Sequence, residues 1–412
     1  MYRNIVIICS LLSSVVVSAE TLGDLYKKSM AAYEQKDYAV FLEANQAALK
    51  LHPSQPTILY NTAAAYALTG QSDEALQGLA RLISWNSTID VIEDADFKEF
   101  RTIPEYKQLG LLRETYAKNL EASTMVQSEL KGVHVEAVLP FANEVLLSDV
   151  HQGRLLRWNP QKPDQMETII AIKESGLALY PALEPGHVWF SGAMMPQYAR
   201  FEKDKENTSH LYLVDVNNKV IKKTYAIPGK SVIGAITGNA QGALYLSSSA
   251  KPVIYTLQPQ AEAITAWLNL ETAINLQGID YDAKNHVLWV ADYIKGIARI
   301  DVADQSVNWL HSKDYLLKGI DGLNLINDGL IAIQNNSTPK RVIKITTNKE
   351  LQAKITLLDN GIFPAGEPTN GFFNKKDDTY IYVANSPWPF YSKENKAEIE
   401  QWPAVLLRQL NL

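Results

Sequence analysis

From about Thr124 to the C-terminus one phrase recurs six times, an apolar run closed by a small or polar cluster. The copies are Val145-Leu146-Leu147-Ser148-Asp149, Val188-Trp189-Phe190-Ser191-Gly192, Leu244-Tyr245-Leu246-Ser247-Ser248, Val287-Leu288-Trp289-Val290-Ala291-Asp292, Leu330-Ile331-Ala332-Ile333-Gln334-Asn335 and Tyr380-Ile381-Tyr382-Val383-Ala384-Asn385. They return at intervals of roughly 40 to 50 residues, the length of one four-stranded propeller blade. Six such units close into a ring that leaves few free sheet edges. The expected fold is an all-β six-bladed β-propeller over residues 121–412, and chemistry is to be sought where equivalent positions of the repeats meet at a central mouth.

The periodicity ahead of the propeller is different. Between Leu22 and Trp85 it is helical, and two segments align at an offset of 34 residues. One runs from Asp37 to Pro53; the other begins at Leu59, turns at Gly70 and continues through Glu74-Ala75-Leu76. The pair is similar to tetratricopeptide repeats: Ala63 and Ala75 are small enough for close helix approach, Tyr66 fills the groove between helices, and Pro53 stops the first repeat. Phe41 departs from that pattern by being bulky where alanine is favoured. A further helical stretch, Asp94 to Ala117 with an interruption at Pro104, supplies a neighbour. Two repeats cannot bury their own apolar faces, so residues 20–120 are expected to form an all-α helical-repeat domain that packs on the propeller or docks a protein partner.

Residues 1–19 read as a signal peptide: Arg3 gives a positive start, Ile5 to Val17 an apolar stretch too short to span a bilayer, and Val17-Ser18-Ala19 a small-residue cleavage site. Cys9 is the one cysteine. Cleavage removes it, so stability comes from packing and strand pairing rather than from a disulfide. The chain is acidic, with formal net charge −6, and has no basic cluster interleaved with aromatics, which excludes nucleic acid as a partner. No apolar run after residue 20 reaches membrane-spanning length. The expected location is extracytoplasmic, periplasmic or secreted.

Strand counting shows how the ring closes. The sixth repeat offers three strands, Thr369 to Asn374, Tyr380 to Asn385 and Ala404 to Leu410, with an insertion rich in Pro, Trp and charge in which Lys393 to Gln401 is expected to form a short helix. The fourth strand is expected from Thr124 to Leu130, so that the two ends of the domain pair. In each innermost strand the residue before a small residue and an apolar run is the candidate to face the mouth: Glu136, Leu179 or Tyr180, Gly234, Gln277, Asp321 and Asn370. Four of the six carry oxygen. Carboxylate and amide oxygens suit a hard cation, Ca²⁺ above all, with the alternative that they hydrogen-bond the inner backbone or ordered water. Glu136, Gln277, Asp321 and Asn370 are thus the candidate metal ligands, and Glu136, Gln277 and Asn370 also candidate ligand-binding groups. His134, two residues before Glu136 on the same strand face, is a candidate general base or a structural histidine. No Gly-x-Ser-x-Gly elbow, His-Glu-x-x-His helix or Gly-rich phosphate loop occurs, which excludes the common serine-hydrolase, zincin and nucleotide-binding sites.

Three phrases carry a resemblance: Leu147-Ser148-Asp149-Val150-His151-Gln152-Gly153-Arg154-Leu155-Leu156-Arg157-Trp158, Gln277-Gly278-Ile279-Asp280 with Leu288 to Tyr293, and Ile320-Asp321-Gly322-Leu323. Over residues 124–412 the chain resembles the gluconolactonase, regucalcin and luciferin-regenerating-enzyme propellers. The resemblance implies six blades, a divalent cation at the mouth and, in several members, lactone hydrolysis. It also implies that Glu136 and Asp321 are ligands, with Asp321 as the base. Two implied ligands differ, since Gln277 and Gly234 stand where asparagines are expected. Three functions stay open: a binding protein for a polar small molecule, a Ca²⁺-dependent lactonase or esterase-type hydrolase, and a scaffold that recruits a partner through its helical arm.

Overall fold

The computed structural model describes residues 20–90, 94–363 and 365–412. The signal peptide expected over 1–19, with Cys9, lies outside the described residues.

Among the described residues, five α-helices and one 3₁₀ helix precede the strands. They are α1 (Leu22–Glu34), α2 (Tyr38–Leu51), α3 (Pro56–Leu68), α4 (Ser72–Trp85), the 3₁₀ helix Ala95–Thr102 and α5 (Pro104–Ala117). Local chemistry sets their starts. The Thr21 hydroxyl accepts from the Asp24 N–H at 3.2 Å and the Asp24 carboxylate accepts from the Thr21 N–H at 3.3 Å, a reciprocal cap that satisfies donors the helix leaves free. Pro56 and Pro104 occupy first-turn positions, where a missing N–H costs nothing. Helices α1–α2 and α3–α4 form two hairpins. At their contact a Cβ on Gly78 would lie 2.9 Å from that of Ala63, so two small residues set the closeness of α3 and α4. Phe41 is buried and tilted against Tyr33 at 5.1 Å.

The strands form six four-stranded sheets, each in sequence order from the inside outwards except the last. The molecule is a six-bladed β-propeller with a helical domain before it. The sixth sheet joins the chain's two ends: Thr124–Gln127 is its outer strand, antiparallel to Leu406–Asn411, with Thr124 opposite Gln409 and Gln127 opposite Leu406. The six repeated phrases are the second strands, and their apolar side chains fill the space between blades. Leu146, Phe190, Leu246, Val290 and Ile333 are fully buried there. Between Lys393 and Gln401 the expected helix is absent. Ile399–Gln401 makes one 3₁₀ turn, and Tyr391 bridges to Ala397, because Ser392 captures the N–H groups of Glu394 and Lys396 in a tight turn.

All inner strands start at one rim, called near, and end at the other, called far. The second-to-third strand turns and the blade-to-blade connections also lie at the near rim. The helical domain rests there, on blades 4 and 5. Ser54 donates to the Lys295 carbonyl at 3.2 Å, the Leu316 N–H donates to Ser84 Oγ at 2.9 Å, and Arg341 Nη1 donates to the Ser84 carbonyl at 2.7 Å. Trp85 and Thr338 pair through their backbones, and Leu316 belongs to the helical core. No helix among the described residues is long and apolar enough to cross a membrane.

Candidate functional site

In three of the repeated phrases the polar end, Asp149, Asp292 or Gln334, is structural. Asp292 accepts the N–H groups of Ile274 and Asn275 on one oxygen and those of Ile294 and Lys295 on the other. Asp149 takes Arg154 and the N–H of His151, and Gln334 donates to the carbonyls of Leu316 and Lys318. Each carries the backbone of a near-rim loop that has no strand to pair with. Serines within the phrases lace neighbouring strands and blades. Ser148 accepts from Ala137 N–H; Ser191 accepts from Ala178 N–H and donates to the Ile233 carbonyl, each at 2.9 Å; Ser247 donates to the Gln277 carbonyl.

The mouth is built by a repeated backbone irregularity. In five blades the register of the inner strand slips at its start, between Val135 and Val138, Gly176 and Leu179, Ile233 and Ala235, Leu276 and Ile279, and Ile320 and Leu323. Such a bulge leaves residues unpaired and re-aims a side chain. The first residue in each slip is Glu136, Leu177, Gly234, Gln277 or Asp321. In blade 6, Asn370 stands just before the strand Gly371–Asn374 and exchanges backbone bonds with Val383 through its carbonyl and the Thr369 N–H, both at 3.1 Å. Five of the equivalent positions expected from the sequence therefore share one level of the ring. The second does not: Leu177 takes it, whereas Leu179 and Tyr180 have rejoined the ladder opposite Phe190 and Trp189. The one-residue bulge, which sets Leu177 and Ala178 against Ser191 alone and is invisible in the apolar run Leu177 to Tyr180, is the reason.

The Asn370 amide reaches across to the Gly234 carbonyl, 3.4 Å away. A Cβ on Gly234 would meet Gln277 Oε1 at 3.3 Å, so the glycine makes room for that side chain, whose amide donates to Asn275 at 2.6 Å. Glu136 Oε2 accepts from Trp388 Nε1 at 2.8 Å and from Ser386 at 3.4 Å. Asp321 Oδ2 accepts from Asn335 at 2.7 Å, and Tyr293 donates to the same Asn335 at 2.9 Å. Glu136 and Asp321 are each 8% exposed. Burial raises the pKa of both; the Asp321 charge pushes Glu136 further up, and that of Glu367 acts on both. Among the described residues no lysine or arginine offsets either carboxylate.

His134 has a different setting. It is fully buried, with Nδ1 2.8 Å from the Tyr391 hydroxyl and its ring packed on Trp388 at 4.6 Å, edge to face, and near Trp402 at 5.7 Å. Burial holds its pKa well below the usual histidine range. The ring is thus a neutral anchor for the blade 6 insertion, and in this packing no substrate reaches it. Sequence reasoning did not single out Glu367, Trp388, Asn335 or Tyr293. Trp388 lay in the Pro- and Trp-rich insertion, a usable signal. Asn335, which ends a repeated phrase, gave no sign of its turn toward Asp321.

Among the described residues no three His, Cys, Asp or Glu side chains gather in a metal-binding cluster. The donors at the mouth are instead two carboxylates and two carboxamides. The amide nitrogens of Gln277 and Asn370 are already spent on Asn275 and Gly234, which leaves their oxygens free to accept. An all-oxygen set of this kind fits a hard cation completed by water and does not fit zinc, which favours nitrogen and sulfur.

Fold and mouth together define a six-bladed β-propeller with oxygen-bearing side chains gathered at one rim of its axis. Solved structures share the architecture. The luciferin-regenerating enzyme matches 70% of this chain and 96% of its own with a TM-score of 0.50 and 12% identity. The PQQ-bound aldose sugar dehydrogenase from Streptomyces coelicolor matches 71% of this chain and 99% of its own, also with a TM-score of 0.50 and 12% identity. These likenesses speak for the fold alone. No protein-family model matches the sequence, and no curated protein does.

Proposed function

We propose that this is an extracytoplasmic protein whose near-rim mouth holds a divalent cation, Ca²⁺ first, and binds a polar small molecule there. The observation that carries the reading is the pair Glu136 and Asp321, buried carboxylates on different blades with no cationic side chain among the described residues to offset them. Buried charge without a partner is costly, and a hard cation offsets two such charges at once. Gln277 and Asn370 would add amide oxygens, and water would complete the shell in place of the side chain that Gly234 lacks.

A second reading, a lactonase or esterase-type hydrolase, draws on Asp321. Its pKa lies above the usual carboxylate range, closer to the operating range of a general base, and Asn335 fixes its orientation. The cation, when bound, would polarise a lactone carbonyl and stabilise the oxyanion. Asp321 would take the proton from water, while Glu136, held by Trp388, would stay in place as a ligand. The helical domain, read as a pair of tetratricopeptide repeats, acts here as a buttress. Its inner surface is spent on blades 4 and 5, which leaves its outer face for a protein partner. The composition of residues 1–19 supports export.

Calorimetric titration of Ca²⁺ into wild type and Asp321→Asn tests the reading. Binding to wild type that is lost in the folded variant is expected; equal binding by both, or none by wild type, contradicts it. Turnover of aldonolactones or aryl esters by wild type, abolished in Asp321→Asn, would select the hydrolase.

A further inference from the structure

We infer that the ligand reaches the mouth from the far rim, along the propeller axis, and that the near rim is the closed end. The identity of the ligand rests on the function proposed above; the passage does not.

Two bodies stand on the near rim. The blade 6 insertion is tied down over Glu136 by Trp388 and Ser386, and Tyr391 and Trp402 are packed around His134. At its tip Asn395 accepts from Gln197 of blade 2 at 3.0 Å, so the insertion reaches across to a neighbouring blade. On the opposite side the helical domain sits on the loops of blades 4 and 5 through Ser54, Ser84 and Trp85.

The axis is open from below. A cavity of about 460 Å³ runs up the inside of the ring, within the usual range of small-molecule sites, roughly 300–1,000 Å³. Its outer wall is formed by far-rim residues that are exposed, Ala240, Ala283, Lys375 and Lys376. Its inner end is formed by Gly234 and Asn370, two members of the mouth ring. Midway stands Asp280, whose oxygens are occupied by Thr237, the Tyr281 N–H and the Leu325 N–H, so it shapes the wall without seeking a partner. At the far rim the cavity continues into a second hollow of about 380 Å³ that shares Tyr180, Pro181 and Asn239 and adds Leu183, Trp189 and Leu213. Leu183 is 67% exposed there. A passage with an acid inside, lysines at its lip and an apolar side arm suits an uncharged polar molecule that carries an apolar group.

The test is a thiol reporter at the inner end of the cavity. In protein with Cys9 replaced by Ser, Gly234→Cys places a sulfur where an added Cβ meets only Gln277 Oε1 at 3.3 Å, a flexible end that can give. Labelling by a small neutral methanethiosulfonate is timed alone, with the passage narrowed by Asn324→Trp or, independently, Ala240→Trp, and with the insertion loosened by Trp388→Ala. The proposal expects labelling to slow by roughly tenfold or more in either narrowed protein, as for any association that must wait for a conformational opening, and to be unchanged by Trp388→Ala. Labelling indifferent to both tryptophans, or absent until Trp388 is removed, would overturn it. Failure of Ca²⁺ to bind would count against the proposed function and leave these rates readable.

Discussion

Burial raises the pKa values of Glu136 and Asp321 above the ordinary carboxylate range, helped at Glu136 by the Asp321 charge and at Asp321 by that of Glu367. An unfolded carboxyl titrates near about pH 4. From there up to neutrality the folded protein holds protons that the unfolded chain has released, so folding stability falls as pH rises. The melting temperature of cation-free protein is expected to drop as pH is raised from weakly acid to weakly alkaline, and the drop to shrink in Glu136→Gln. An equally steep drop in that variant would place its source elsewhere. Ser191 tests the lacing of the blades. Its hydroxyl is fully buried and serves both Ala178 and Ile233, so Ser191→Ala should cost about 1–3 kcal/mol in denaturant unfolding; a loss within error would make the bridge idle. The positions of Glu136, Gln277, Asp321 and Asn370 were legible because each precedes a small residue and an apolar run. Their partners were not, since Trp388 comes to Glu136 and Asn335 to Asp321 through loop paths that strand periodicity does not encode.

At the scale of elements, the repeated phrase identified the second strand of every blade, since period and apolar run are both local properties of the chain. The mouth position of blade 2, expected at Leu179 or Tyr180, falls at Leu177 because a bulge has no compositional mark among Leu177, Ala178 and Leu179. The insertion departs from expectation as well: Ser392 turns the chain where helix propensity alone favours Lys393 to Gln401. The closing strand Thr124–Gln127 could be deduced from a deficit, one strand too few in the sixth repeat. Ser128 N–H donates to the Val405 carbonyl at 2.9 Å. By the two-residue alternation of an antiparallel pair the N–H of Val126 faces Leu407. Val126→Pro removes that donor at the seam of the ring and is expected to lower propeller stability by about 1–3 kcal/mol. Unaltered unfolding by circular dichroism would mean that the seam does not bear on the ring's stability.

Over the whole molecule, helical domain and propeller share a polar and aromatic junction. Arg341, fully buried, donates to the carbonyls of Ser84 and Pro339 and lies over the Tyr116 ring at 5.1 Å, while Tyr116 meets Tyr315 edge to face at 5.8 Å. The two parts should therefore unfold in one calorimetric transition. Arg341→Ala, which forfeits charge-assisted bonds of about 1.5–3 kcal/mol, should split off an earlier helical transition; a single unshifted peak would show that the junction does not couple them. That the helices need a neighbour was legible from their number. Which blades supply it was not, because Leu316 and Arg341 look like ordinary loop and strand residues in one dimension. The central claim, that the near-rim mouth holds a hard cation, is tested most directly by the melting temperature of wild type and Asp321→Ala with Ca²⁺ and with a chelator, since a ligand of the native state must stabilise it. A higher midpoint with Ca²⁺ in wild type and none in Asp321→Ala is predicted; a wild-type midpoint that ignores Ca²⁺ would contradict the account.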